Sequence, residues 1–137
     1  MPTDSELTGK IIGAAMKVHS ELGPGVLESA YEACLEYELE QIGLKVQRQK
    51  ELPIIYGDVL IDCGYRVDLL VEDTVVVELK AVERVRPIHH AQLLSYMRLS
   101  RKMFGLLIHF HELHLRDGIT RKINSSAKDE AGRTKLA

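Results

Sequence analysis

The stretch Gly64–Lys80, GYRVDLLVEDTVVVELK, constrains this chain more than any other. Two apolar runs flank the acidic break Glu72-Asp73, and each carries charge where a plain core strand would not. Asp68 interrupts the first run; Glu78 and Lys80 interrupt the second. Strand side chains alternate faces, so Glu78 and Lys80 share one face while Val75, Val77 and Leu79 point the other way, into a core. In an antiparallel hairpin the numbers of paired residues sum to a constant. Pairing of Val71 with Val75 sets Asp68 opposite Glu78, with β-carbons ~5 Å apart. Pairing of Val71 with Thr74 sets Asp68 opposite Val77 and parts the two carboxylates. No Asn-Gly or Asp-Gly turn selects between these registers.

Two carboxylates and a lysine on one sheet face are suited to hydrolysis. Bare paired carboxylates repel, and a hard divalent cation relieves that repulsion. Such a cation lowers the pKa of bound water and polarises a phosphoryl oxygen. A nearby lysine can hold the attacking water or offset transition-state charge. The plain alternative is a solvated strand face that carries an Asp, a Glu and a Lys.

At 137 residues the chain is long enough for one domain with a sizeable core. No apolar run approaches the ~20 residues of a membrane-spanning helix. The start, MPTDSELTGK, lacks the basic-then-apolar pattern of a secretory signal. Cys34 and Cys63 make no metal or redox spacing and read as buried thiols, so a cytoplasmic location is the default expectation. The net charge of −2 hides an asymmetry, because residues 1–60 carry ten acids and five bases and residues 61–137 ten acids and thirteen bases. Between Lys80 and Lys102 six Lys or Arg stand against Glu83 alone, a cluster able to meet phosphate or simply a solvated face.

Apolar positions Leu7, Ile11, Ala14, Ala15, Val18 and Leu22 predict a first helix over residues 5–22, with Ser5 or Thr8 as its cap and Gly23-Pro24-Gly25 as its stop. His19 near its end suits the helix dipole. A second helix runs from Val26 to Ile42 and closes at Gly43. Its stripe is Leu27, Tyr31, Leu35, Leu39 and Ile42. At ~100° per residue Glu28 falls inside that stripe, while Glu32 and Glu36 drift to a solvated edge. A core-facing carboxylate needs a partner or a cation; an early-turn Glu favoured by the helix dipole is the competing explanation.

Residues 45–56 predict a strand with an edge or bulge at Pro53, followed by a long strand from Val59 to Val71 bent at Gly64, and a third from Thr74 to Val82. Together they form an antiparallel meander. Pro87 opens a third helix to about Ser100, on which Gln92 and Tyr96 share a face. Phe104–Phe110 predicts a buried strand that a right-handed crossover can make parallel. His109 and His111 alternate onto one face with His114 close behind, weakly suggestive of metal but more simply structural. Leu113–Ile123 predicts a short final strand around Asp117-Gly118. The domain spans 1–124, and the polar tail 125–137 is expected to be disordered.

This order of elements, with Asp68 and the run Glu78-Leu79-Lys80, resembles the PD-(D/E)xK nuclease superfamily. Gly25-Val26-Leu27-Glu28-Ser29-Ala30-Tyr31 fits G-x-x-E-x-x-Y, the signature of a small family named after it, and Gly64-Tyr65-Arg66-Val67-Asp68 and Glu78-Leu79-Lys80-Ala81 are similar to the same family. Gln92-Leu93-Leu94-Ser95-Tyr96 resembles the Q-x-x-x-Y motif of the recombination-type nucleases. Val67 stands where the superfamily motif has proline. The resemblance covers roughly residues 7–123. It implies an α/β (α+β) restriction-endonuclease-like core, αβββαβ, with a mixed sheet flanked by helices and an extra N-terminal helix. It implies Asp68, Glu78 and Glu28 around Mg2+ or Mn2+, with Lys80 beside the water. Gln92, Tyr96, Arg66, Arg84 and Arg86 would contact substrate. The expected activity is metal-dependent hydrolysis of DNA or RNA. The alternatives are a non-catalytic module of the same fold that binds nucleic acid or protein, and an assembly domain whose size and mixed surface allow a homodimer.

Overall fold

The computed structural model describes residues 4–62 and 65–125. Three layers form, helix on sheet on helix. The element order is α1 (Asp4–Leu22), α2 (Glu28–Gln41), β1 (Val46–Glu51), β2 (Ile54–Tyr56), β3 (Val59–Ile61), β4 (Arg66–Val71), β5 (Val75–Lys80), α3 (Pro87–Leu99), β6 (Phe104–His109), a 3-10 turn (Leu115–Gly118) and β7 (Ile119–Ile123). The main sheet runs β1-β4-β5-β6-β7, and β2 and β3 form a separate hairpin. β1, β4 and β5 make the expected antiparallel meander, β6 lies parallel to β5, and β7 returns antiparallel to β6. The fold is the expected mixed sheet between helices.

Each sheet face has its own core. Leu7, Ile11, Ala15 and Val18 of α1 and Tyr31, Leu35 and Leu39 of α2 pack on Leu69, Val71, Val75, Val77, Leu79, Leu106 and Ile108. On the other face Leu93 and Met97 of α3 cover Leu70, Val76 and Leu107. The interior strands β4, β5 and β6 are buried on both faces, which is why they read as nearly continuous apolar runs. Among the described residues no helix is long and apolar enough to cross a membrane.

Several boundaries differ from expectation. Ser5 and Thr8 both lie inside α1, where the Thr8 hydroxyl donates back to the Ser5 carbonyl at 3.1 Å. Leu27 and Ile42 are not part of the α2 stripe. They are its extended N-cap and its C-cap, and both are exposed. The α2 end is a Schellman motif: Gly43 N–H donates to Glu40 O at 3.0 Å and Leu44 N–H to Leu39 O at 3.1 Å. Gly43 takes a φ of +85°, a value open to glycine without strain. The strand expected from Val59 to Val71 is two strands in two sheets, since β3 pairs with β2 and β4 with β1. Cys63 and Gly64, where the bend was expected, lie outside the described residues, and so does the expected disordered tail from residue 126 onward. Asp117-Gly118 closes the 3-10 turn rather than a strand.

α3 starts as its proline suggests. Pro87 follows the N-cap Arg86, whose N–H donates to His89 Nδ1 at 3.0 Å. The helix approaches β6 most closely at Gly105. A Cβ there would overlap Met97 Sδ and stand 3.2 Å from Met97 Cε and 3.4 Å from Leu93 Cδ1. Gly105→Val is therefore expected to destabilise the fold by about 1–3 kcal/mol through overpacking. Urea denaturation would check this, and an unchanged midpoint would show that the α3 layer yields freely.

Candidate active site

The site begins where two strands part. β4 and β5 pair through Val71↔Val75, Leu70↔Val76 and Leu69↔Val77. Beyond that point β4 stays with β1, as Lys50↔Val67 and Glu51↔Arg66. β5 stays with β6, as Glu78↔Leu107 and Lys80↔His109. Of the two registers open to the sequence, the hairpin adopts the one that brings Asp68 level with Glu78. Its turn is built without glycine: Glu72 and Asp73 both take left-handed φ, +53° and +52°. Thr74 N–H donates to Val71 O at 3.0 Å, and the Thr74 hydroxyl donates to Glu72 O at 2.7 Å.

The two acids fill the fork and take over the hydrogen bonds the ladder no longer supplies. Leu79 N–H donates to Asp68 Oδ2 at 2.8 Å, and Asp68 N–H donates to Glu78 Oε1 at 3.3 Å. Each carboxyl thus binds the backbone of the other strand. Tyr65 OH donates to Glu78 Oε1 at 3.4 Å, and its ring stacks on Tyr96 of α3 with centroids 3.7 Å apart. Glu28, the first residue of α2, reaches across to accept Ala81 N–H at 3.0 Å. The carboxylate expected in the α2 stripe thus has a backbone partner immediately after β5.

Burial sets the electrostatics. It pushes the Glu78 carboxyl up to about 8, with the charge of Asp68 adding to the effect. Burial likewise raises Asp68, against the Leu79 N–H, and raises Glu28, against the Ala81 N–H. The Lys80 charge favours the ionised form of all three acids. Burial, then Glu78, raises the Tyr65 phenol, so its proton stays in place as a donor.

Among the described residues no three His, Cys, Asp or Glu side chains form a metal-ligating cluster. A magnesium ion does not require one, because it keeps several waters and takes one or two carboxylates together with substrate phosphate. The donor set of the fork is all oxygen, and its crowded acids resist ionising side by side without a cation. Those two features fit a hard divalent ion.

The remaining candidate residues are divided. Tyr96 joins the site through Tyr65, and Gln92 lies exposed one turn before it on α3. Arg66 is exposed two residues before Asp68 and pairs with Glu51 at 3.3 Å. Arg84 and Arg86 are exposed in the connection from β5 to α3. They line a cleft of about 590 Å³ with Val82, Glu83 and His89, and the acids of the fork do not line it. The basic run from Lys80 to Lys102 does not form one face. α3 carries the chain back to the start of β6, so Lys102 sits at the opposite end of the sheet and pairs with Asp73 at 3.2 Å. Three of the histidines meet backbone carbonyls. His19 Nε2 meets Glu112 O at 2.7 Å, His109 Nε2 meets Val82 O at 2.5 Å, and His111 Nε2 meets Val26 O at 3.0 Å.

Glu32 corrects the sequence expectation. It is buried rather than solvated, with Arg48 Nε at 2.7 Å and Gln49 Nε2 at 2.6 Å on its carboxyl. Gln49 and Tyr65 bond the two acids of the fork, and neither is marked by the sequence alone. Gln49 stands opposite Asp68 by the same constant-sum rule that pairs Arg48 with Leu69 and Lys50 with Val67, but the β2–β3 hairpin inserted between β1 and β4 leaves that register unmarked in the sequence. Tyr65 lies within the motif around Asp68, three residues before it.

No curated protein and no solved structure matches the chain significantly. A family profile, that of the PD-(D/E)XK nuclease superfamily, matches residues 5–122, which takes in the fork, both of its acids, Lys80 and all three helices. With that match over most of its length and a mixed sheet held between helices, this chain belongs to the PD-(D/E)XK nuclease superfamily.

Proposed function

We propose that the protein is a divalent-metal-dependent nuclease that hydrolyses phosphodiester bonds in DNA or RNA. Within the superfamily we place it in the group marked by G-x-x-E-x-x-Y, which it carries as Gly25, Glu28 and Tyr31. The observation that carries the reading is the strand fork, where the Asp68 and Glu78 carboxyls each bind the backbone of the other strand, with Lys80 two residues further along β5. A solvated strand face would not bury its acids or raise them as burial does here.

Asp68 and Glu78 would hold Mg2+ or Mn2+, with Glu28 as a further acid beside them. When bound, the ion would polarise the scissile phosphate and make water a better nucleophile. Lys80 would orient that water and offset charge as it builds on the phosphoryl oxygens. Tyr65 would fix the Glu78 carboxyl by its hydrogen bond, and Tyr96 would fix Tyr65 by stacking. Arg84 and Arg86, beyond the end of β5, and Arg66 would meet the substrate backbone, while Gln92 would face substrate from α3.

Cleavage of single- and double-stranded DNA and RNA, measured with magnesium, manganese or chelator, tests the proposal. Metal-dependent product is expected on at least one substrate, and none with chelator. Nucleic-acid binding that is indifferent to chelator and never yields product would instead identify a non-catalytic module of this fold.

A further inference from the structure

We infer that Gln49 is a positioning residue that sets the Asp68 carboxyl for metal, anchored from behind by the buried Glu32 and its ion pair with Arg48. The inference rests on the metal site proposed above and adds to it a residue outside the acid-acid-lysine set.

Three observations converge. Gln49 is in the middle of β1 yet takes a left-handed φ of +51°, a conformation disfavoured for any residue with a Cβ. The β1–β4 ladder is regular on both sides, so this departure falls at the level of Asp68 alone. Strain of this kind persists where the surroundings over-determine it, and it gathers at functional sites. The side chain then does one thing: Nε2 donates to Glu32 Oε1 at 2.6 Å and to Asp68 Oδ1 at 3.2 Å.

The amide can face only one way. Both partners present carboxyl oxygens, so the carbonyl end of Gln49 would meet two acceptors and the NH2 end meets two bonds. Glu32 is itself held by Arg48 Nε at 2.7 Å, and Arg48 Nη1 lies 3.8 Å from Glu36. The chain of contacts therefore runs from an ion pair with a buried carboxylate through the amide to one oxygen of Asp68. The other oxygen of Asp68 is fixed by Leu79 N–H at 2.8 Å. With both oxygens bound, the carboxyl plane is set before any ion arrives. Gln49 itself is exposed, so packing gives no reason for it to be there.

Gln49→Gly separates positioning from structure, because glycine accepts the left-handed backbone and removes only the amide. Manganese affinity would be read by electron paramagnetic resonance titration of Mn2+ alone, beside melting temperature without metal. The expected result is Mn2+ binding weakened about 10–100-fold, as when an outer partner of a metal ligand is lost. The melting temperature should stay within about 3 °C of the unsubstituted protein. Glu32→Gln, which leaves Arg48 and the helix in place, should weaken Mn2+ binding in the same direction. Equal Mn2+ affinity in Gln49→Gly overturns the inference, and so does a fall in melting temperature beyond about 10 °C, which would make Gln49 structural. Absence of Mn2+ binding by the unsubstituted protein removes the metal reading itself, an outcome distinct from either.

Discussion

Glu78→Gln should abolish metal-dependent cleavage and, in the absence of metal at alkaline pH, make the protein more stable. The two effects share one cause. On the proposed metal site, loss of this charge would remove several kcal/mol of transition-state stabilisation, a rate decrease of about 10³-fold. The same carboxyl is a burden to the metal-free fold. Its folded pKa of about 8 lies above its ordinary value of 4.5. Between those values the folded protein holds a proton that the unfolded chain has released. Stability contributed by that proton is therefore lost as pH rises from 4.5 towards 8, and above 8 the folded state bears a buried charge beside Asp68. Asp68, also raised, adds in the same direction. Glutamine carries no charge at any pH. Without metal, the variant and the original should melt together near pH 5 and diverge by pH 9 in favour of the variant. Magnesium should narrow the gap at pH 9 by binding only the folded original. Thermal melts at the two pH values, with and without magnesium, read all of this. A variant that melts lower than the original at pH 9 without metal would refute the account of the fork as an unrelieved acid pair.

The second large effect is expected at Tyr31. This side chain is fully buried and stacks on Phe110 with ring centroids 4.3 Å apart. Its hydroxyl donates to Gly23 O at 2.5 Å and accepts Val26 N–H at 3.0 Å, which ties down the turn between α1 and α2. Tyr31→Ala removes the ring and both bonds and should cost about 3–5 kcal/mol, or roughly 10–20 °C in melting temperature. Tyr31→Phe keeps the stack and leaves two backbone groups without their partner, for a loss of about 1–3 kcal/mol. The residue also bears on the site, because Glu28 lies one turn before it on α2 and reaches Ala81 only if that end of the helix is held. Both variants should therefore lower cleavage more than their melting temperatures alone explain. Denaturation and single-turnover rates well below the melting point, measured on the same preparations, separate the two contributions. Equal rates in Tyr31→Phe and the original would show that the turn does not position Glu28.

How much of this was legible in the sequence differs from element to element, for physical reasons. Periodicity located α1, the body of α2, and the strands around Asp68 and Glu78, because each buries one or both faces in the core. The hairpin register came down to two choices. The deciding turn, with Glu72 and Asp73 left-handed, carries no glycine and only Asp73 of the residues that favour such a conformation. Glu32 read as solvated because a helical wheel knows nothing of Arg48, which arrives from another element. Its burial is a tertiary fact. The division of residues 59–71 between two sheets was hidden for a similar reason, since apolar alternation cannot say which partner a strand will choose. The basic run looked like one patch because sequence distance is short along α3, whereas the helix carries it the length of the sheet.

The placement of the fork also orders events in time. Asp68 and Glu78 are joined by a hairpin turn, a contact that forms in about 1–10 μs once the strands exist. Glu28 is 53 positions from its partner Ala81, and the parallel pairing of β5 with β6 waits for α3 to be made and docked. Contacts of long sequence separation form late, because loop closure must precede their reward. During synthesis the two acids are therefore brought face to face before the layers that bury them are complete. Their mutual repulsion is met first in water, where it is weak, and grows only as the helices close over the sheet.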